Sequence, residues 1–361
     1  MSPDALASPR DAADAHADST RALLALLDDA VGRVEAEATY TGRFHVGRHA
    51  CWIMGNDAAL TMRLTRCLVA AEDGSAPSDL TLAVLRGSAV AGAAPPPWNL
   101  PHTSPRHLER LHVDQARGLR AFYDHDRRFW SICDAATRRG LFWIADTADV
   151  PFWEEAAPFK ATFNWFLAGT SATLLHAGVV AHRGRGVLLA GPGGSGKSTT
   201  VMAAVAAGLG TCGDDLVVVD DGAGAWTAYA LYDAAKFFPA EPTGRVPDLF
   251  TSAAARPCGD KLLVRYSDVA PGRLVRSVPL VALVHCVISG QASTTITPLA
   301  PGAMLRALGP PTAFLLRGAE PETLRKAAAL VRAVPSFTLA LGTNPAEAID
   351  ALKVWIDEGC R

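Results

Sequence analysis

Gly191, Pro192, Gly193, Gly194, Ser195, Gly196, Lys197, Ser198 and Thr199 satisfy the pattern G-x-x-x-x-G-K-[ST], and no other feature constrains the chain as strongly. Glycine is needed at such positions because the backbone must turn tightly and aim successive N–H groups at one anion, where larger side chains would obstruct it. The run follows an apolar stretch at 186–190 that reads as a strand, and it opens an apolar helical pattern over 199–209. A helix starting near Lys197 adds unpaired N–H donors and the positive end of its dipole. The Lys197 ammonium can bridge the β and γ phosphates, and the Ser198 hydroxyl suits Mg²⁺. The expected ligand is a nucleoside triphosphate with its magnesium, ATP being the first choice.

A phosphate loop specifies a nucleotide and leaves the reaction open, because ATPases, transporter motors, GTPases and kinases all use one. Asp214 and Asp215 stand where the run LVVV begins, one predicted helix beyond the loop. Two adjacent carboxylates there can divide two tasks, one holding Mg²⁺ and the other taking a proton from an attacking hydroxyl. A second pair, Asp220 and Asp221, is followed by Gly222, Gly224 and Trp226 and reads as a hairpin turn, although LVVVDD also mimics a Walker B strand. His176, in LLHAGVV, precedes the strand that feeds the loop. The fragment Ile288, Ser289, Gly290, Gln291 imitates part of a transporter-motor signature but lacks its second glycine.

The chain has 361 residues, of which 49% are hydrophobic, enough for one large domain or two ordinary ones. Its 34 basic and 36 acidic residues leave a net charge of -2, so no global positive field exists to hold nucleic acid or an anionic membrane. The 7 cysteines are scattered and never form C-x-x-C, which indicates neither a disulfide framework nor a zinc site. The N-terminus is acidic and Ala/Asp-rich, without the basic and apolar regions of a secretory signal, and no long uncharged apolar stretch follows. A reducing cytoplasm is the expected location.

Residues 1–40 read as a flexible tail followed by a short amphipathic helix carrying Leu23, Leu24, Leu26, Leu27 and Val31. Residues 41–150 read as a smaller α+β domain, with a helix near 60–71 and a proline-dense connector at 93–105 that marks a boundary. The Trp/Phe-rich stretch 152–167 reads as core. Apolar strands alternating with helical patterns over 151–361 give an α/β rhythm, so the fold class is α/β with the phosphate loop in the C-terminal domain.

The order His176, GRGVLLAG, phosphate loop and Asp214–Asp215 resembles the HPr serine kinase family, and more closely its relatives found beside ribosomally made peptides of lasso type. The likeness is strongest over 174–221 and loose from about 119 to the end. It implies a mixed sheet of phosphoenolpyruvate-carboxykinase type and transfer of a phosphoryl group from ATP to a serine or other hydroxyl on a peptide, protein or small molecule. It further implies that Lys197 and Ser198 serve ATP and Mg²⁺, that Asp214 and Asp215 supply base and metal contact, with Ser198 and Asp215 as the metal pair, and that His176 supports the reacting phosphate. Lys236 and Lys261 lie where such kinases carry basic residues that neutralise developing charge. A homo-oligomer is a further implication. Thr199 stands where bifunctional HPr kinases have an acidic residue, and no later E-x-R-G stretch is present. The resemblance therefore points to the peptide-tailoring relatives and away from HPr itself as acceptor.

Overall fold

The computed structural model describes residues 9–71, 77–87, 102–104, 107–124, 126–222, 224–239, 246–251 and 254–361. The chain forms two compact units. One comprises Met1–Arg43, Cys51–Arg63 and Pro77–Pro151, and the other Phe44–Ala50, Leu64–Ala76 and Phe152–Arg361.

In the first unit the later part of the expected tail and the short helix form one helix, Pro9–Glu37, of 29 residues, while residues 1–8 of that tail lie outside the described residues. Residues 9–20 lack an apolar stripe, but Ala12, Ala13, Ala15 and Ala17 are strong helix formers and propagate the helix from the packed segment behind them. Thr20 ties that segment down, its Oγ1 lying 3.0 Å from His112 Nε2 and donating to Asp114 Oδ2 at 3.1 Å. Leu23, Leu27, Ala30, Val31 and Val34 recur at helical spacing and are buried in one core with Ala83, Leu119, Trp130, Ile132 and Leu141 of the sheet. The helix expected near 60–71 is Ala58–Thr65. Of the proline-dense connector expected at 93–105, only His102–Ser104, a strand, is among the described residues.

The second unit is built on a nine-stranded mixed sheet, running Gly210–Gly213, Gly178–His182, Arg185–Ala190, Ser277–Ile288, Thr227–Tyr229, Leu216–Asp220, Thr173–His176. Ser336–Leu341 pairs in parallel with the distal half of Ser277–Ile288, and Thr295–Pro298 lies antiparallel beside it. The loop strand Arg185–Ala190 is antiparallel to Gly178–His182 and parallel to Ser277–Ile288. From Val187 to Ala190 its residues are apolar because both faces are covered. Val187 and Leu189 enter a core with the helices Lys197–Ala206 and Pro345–Asp357, while Leu188 and Ala190 enter another with Pro301–Leu315 and Glu320–Ala333. The architecture is mixed α/β, as expected. A separate three-stranded sheet, Ala235–Phe237, Lys261–Val264 and Arg256–Cys258, carries Lys236. Most of the aromatic stretch is core: Phe159, Phe163, Trp165 and Phe166 are buried. Among the described residues no helix is long and apolar enough to cross a membrane.

Candidate functional site

The phosphate loop leaves the end of Arg185–Ala190 and enters the helix Lys197–Ala206, the strand, loop and helix setting that an anion nest requires. Gly196 sits just before the helix at φ +97°, and a Cβ there would stand 2.5 Å from Leu341 Cδ1, so any side chain at this position is strained and must displace Leu341. Lys197 is 5% exposed, and its Nζ donates to the carbonyl oxygens of Gly191 at 2.7 Å and Pro192 at 3.1 Å. Burial lowers its pKa against the pull of the nearby acidic groups. The Ser195 Oγ is buried in the loop without a hydrogen-bond partner.

Asp214 and Asp215 occupy the turn between the strands Gly210–Gly213 and Leu216–Asp220. The turn meets the start of the loop helix, where Ser198 Oγ donates to the Asp214 carbonyl at 3.4 Å. The Asp214 side chain is buried, its Oδ1 makes no hydrogen bond, and the Ser198 and Tyr266 hydroxyls are near its carboxyl. Burial, reinforced by the neighbouring Asp215 charge, pushes its pKa up to about 6. Asp215 is held the other way. Burial opposes its charge, but Lys236 Nζ at 2.8 Å from Oδ2 and His176 Nδ1 at 3.2 Å from Oδ1 outweigh it and keep the carboxyl well below its ordinary range. His176 ends Thr173–His176 and is aligned with Leu216 across an antiparallel pair, which explains why a residue so far upstream reaches this turn.

The structure thus brings together Lys197, Ser198, Asp214, Asp215, His176 and Lys236. Lys261 stands apart from the Asp215 ion pair, its Nζ lying 4.6 Å from the Phe238 ring centroid, yet close enough to Lys197 to oppose that lysine's charge. Asp220 is at the far end of its strand, about 15 Å of chain from the turn. It accepts from Ser171 Oγ at 2.6 Å and from the Gly222 N–H at 2.9 Å, and the strand returns antiparallel as Thr227–Tyr229. That is a hairpin turn and gives no support to a Walker B role.

Two cavities adjoin the loop on different sides. One, of about 500 Å³, meets Pro192, Gly193, His176, Asp215 and Lys236 at its polar end and is otherwise walled by Trp153, Ala157, Leu216, Pro311, Phe314 and Leu315, with Lys160 also lining it. The other, of about 200 Å³, touches Gly196, Thr199 and Thr200 and is walled by Ile288, Gly290 and the segment Leu341–Ile349. Sequence reasoning missed this second cavity, Tyr266 and His285. His285 is paired in register with Ala190, the last residue of the loop strand, and burial together with the Lys197 charge lowers its pKa. An apolar strand ending beside the loop was the only signal for it. Comparison with known protein families and with curated proteins finds no match for the chain.

Proposed function

We propose that the second unit is a Mg-ATP-dependent kinase, of the HPr-kinase and phosphoenolpyruvate-carboxykinase-like type, that moves the γ-phosphoryl group to a serine or other hydroxyl acceptor. The observation that carries this reading is that Asp215, backed by His176 and Lys236, opens into the same 500 Å³ cavity as Pro192 and Gly193 of the phosphate loop. A hydroxyl in that cavity would meet a carboxylate and the phosphate cradle together, the proximity that in-line transfer requires. The smaller cavity beside Thr199 and Thr200 suits the base of the nucleotide.

Ser198 and Asp214 fit a hydrated Mg²⁺, the buried and unpartnered Asp214 Oδ1 being an oxygen ligand in want of a cation. When bound, the ion would neutralise charge on the β and γ phosphates. Asp215 is then the base that orients the acceptor hydroxyl and takes its proton. The resemblance puts Asp215 beside Ser198 on the metal and leaves the base open between the two aspartates; here the metal contact moves to Asp214. This move is supported by Asp214 lying beside Ser198 and outside the larger cavity, and by Asp215 lining that cavity. Lys236 and His176 keep Asp215 ionised and oriented, and Lys197, released from its loop carbonyls, would hold the transferring phosphates.

The test is transfer of labelled phosphate from γ-labelled ATP to hydroxyl acceptors by the purified protein. Lys197→Ala should abolish it together with nucleotide binding. Rapid hydrolysis that no acceptor stimulates would make the protein an ATPase, and tight ATP binding with no turnover of any acceptor would make it a nucleotide sensor.

A further inference from the structure

Tyr266 is fully buried in a core of apolar side chains, and its ring meets Phe250 edge to face with centroids 5.9 Å apart. A phenylalanine would fill the same space. The hydroxyl that distinguishes the two lies beside the Asp214 carboxyl, yet neither it nor Asp214 Oδ1 makes a hydrogen bond. A buried donor left unpaired costs stability, so packing gives no account of it. The ring is also held in place from both sides. Asp233, itself buried, accepts from Arg265 Nε at 3.1 Å and from the Ser267 N–H at 3.1 Å, which ties down the residue before Tyr266 and the residue after it. The Asp233 N–H in turn donates to the Cys67 carbonyl at 2.7 Å and anchors this arrangement on the segment Leu64–Ala76.

We infer that Tyr266 is a positioning residue for the cation site: its hydroxyl donates to the Asp214 carboxylate and holds one oxygen of it toward Ser198, where a divalent ion binds. The inference rests on the metal assignment made above and adds a residue to it. Lys236 is already paired with Asp215, which leaves hydroxyls to orient the Asp214 carboxyl. A donor behind a ligating carboxylate fixes its orientation, and losing such a donor weakens metal affinity by about 10-fold or more.

The test uses the full chain with ADP present, Mn²⁺ as the probe and the paramagnetic resonance signal of free Mn²⁺ as the readout. Tyr266→Phe should raise the Mn²⁺ dissociation constant about 10-fold, while ADP affinity in chelator, read by calorimetry, stays unchanged. In chelator the variant should melt no lower than the natural chain, because the hydroxyl it loses was unpaired. In an Asp214→Asn background the same change should weaken Mn²⁺ binding no further, since it acts through that carboxylate. Tyr232→Phe is the control. It removes a different buried hydroxyl, one that donates to the Pro158 carbonyl at 2.9 Å, and should lower the melting temperature without altering Mn²⁺ affinity. Unchanged Mn²⁺ affinity in Tyr266→Phe, a lower melting temperature for it in chelator, or an equal loss of affinity in Tyr232→Phe overturns the inference and leaves the kinase reading intact. Weakened Mn²⁺ binding in Tyr266→Phe, with no phosphate transfer to any acceptor by the natural chain, upholds the inference and sinks the kinase reading. A natural chain that binds no Mn²⁺ with ADP sinks both.

Discussion

Burial raises Asp214 to about 6 while Lys236 and His176 hold Asp215 far below its usual range, so two neighbouring aspartates enter neutral solution in different states of readiness. The roles proposed for them separate in kinetics. Asp214→Asn should raise the Mg²⁺ concentration needed for half-maximal turnover by roughly 10-fold or more, the scale of losing one cation ligand. Asp215→Asn should cut kcat by about 10² to 10⁴ with ATP affinity nearly intact, as loss of a positioned base does. Mg²⁺ titrations and nucleotide binding on both variants check this, and the reverse pattern would return the metal to Asp215. Stability supplies a second measurement. A carboxyl whose folded pKa is raised stabilises the fold fully below its unfolded value, near 4, and loses that contribution as pH rises through about 6. In chelator-treated protein Asp214→Asn should therefore gain on the order of 1–3 kcal/mol over the natural chain at pH 7.5 and little at pH 4. Urea unfolding at the two pH values reads it, and an equal difference at both would show that charge burial is not the cause.

Among the elements, the strand, loop and helix around Lys197 and the aspartate turn were legible because their signals are local: glycine spacing, an apolar run on each side, and a carboxylate pair where the next strand starts. Three things had no local signal. His285 and Ile288 come from Ser277–Ile288, whose pairing with the loop strand spans about a hundred residues of sequence, and Gly290, two residues beyond that strand, carried only a misleading likeness to a motor signature. The helix Pro9–Glu37 reaches further than its apolar stripe because alanine propagates it. Lys326, in the pattern PETLRKAAALV, is 6% exposed, and its Nζ donates to the carbonyls of Leu167, Ala168 and Ala172 at 2.7, 3.1 and 2.8 Å. It caps the end of the helix Lys160–Ala168 from a distant helix. Lys326→Met should destabilise the protein by about 2–4 kcal/mol, since it strands buried carbonyls, and thermal unfolding checks it. Gly196→Ala combines a positive φ with contact against Leu341, and should cost about 1–2 kcal/mol and weaken nucleotide binding, measured on the same protein.

At the scale of the whole molecule, neither unit is one continuous stretch of chain. Phe44–Ala50 and Leu64–Ala76 belong with Phe152–Arg361, and there Val46 and Cys67 are fully buried, Leu68 bridges to Tyr232, and Arg48 Nε lies 3.7 Å from Asp220. A fragment beginning at residue 152 lacks all of these, so it should aggregate or melt at least ~10 °C below the full chain, a loss of several kcal/mol. Circular dichroism melting of the two proteins tests it, and a fragment as stable as the full chain would show these segments to be dispensable. The same interleaving sets an order of events during synthesis. Residues 44–50 and 64–76 emerge from the ribosome long before 218–232 are made, and through that interval Val46 and Leu68 have no native cover. Growth of the nascent chain, ahead of any intrinsic folding rate, then limits when the second unit can close, and the uncovered segments offer chaperones a binding site for just that period.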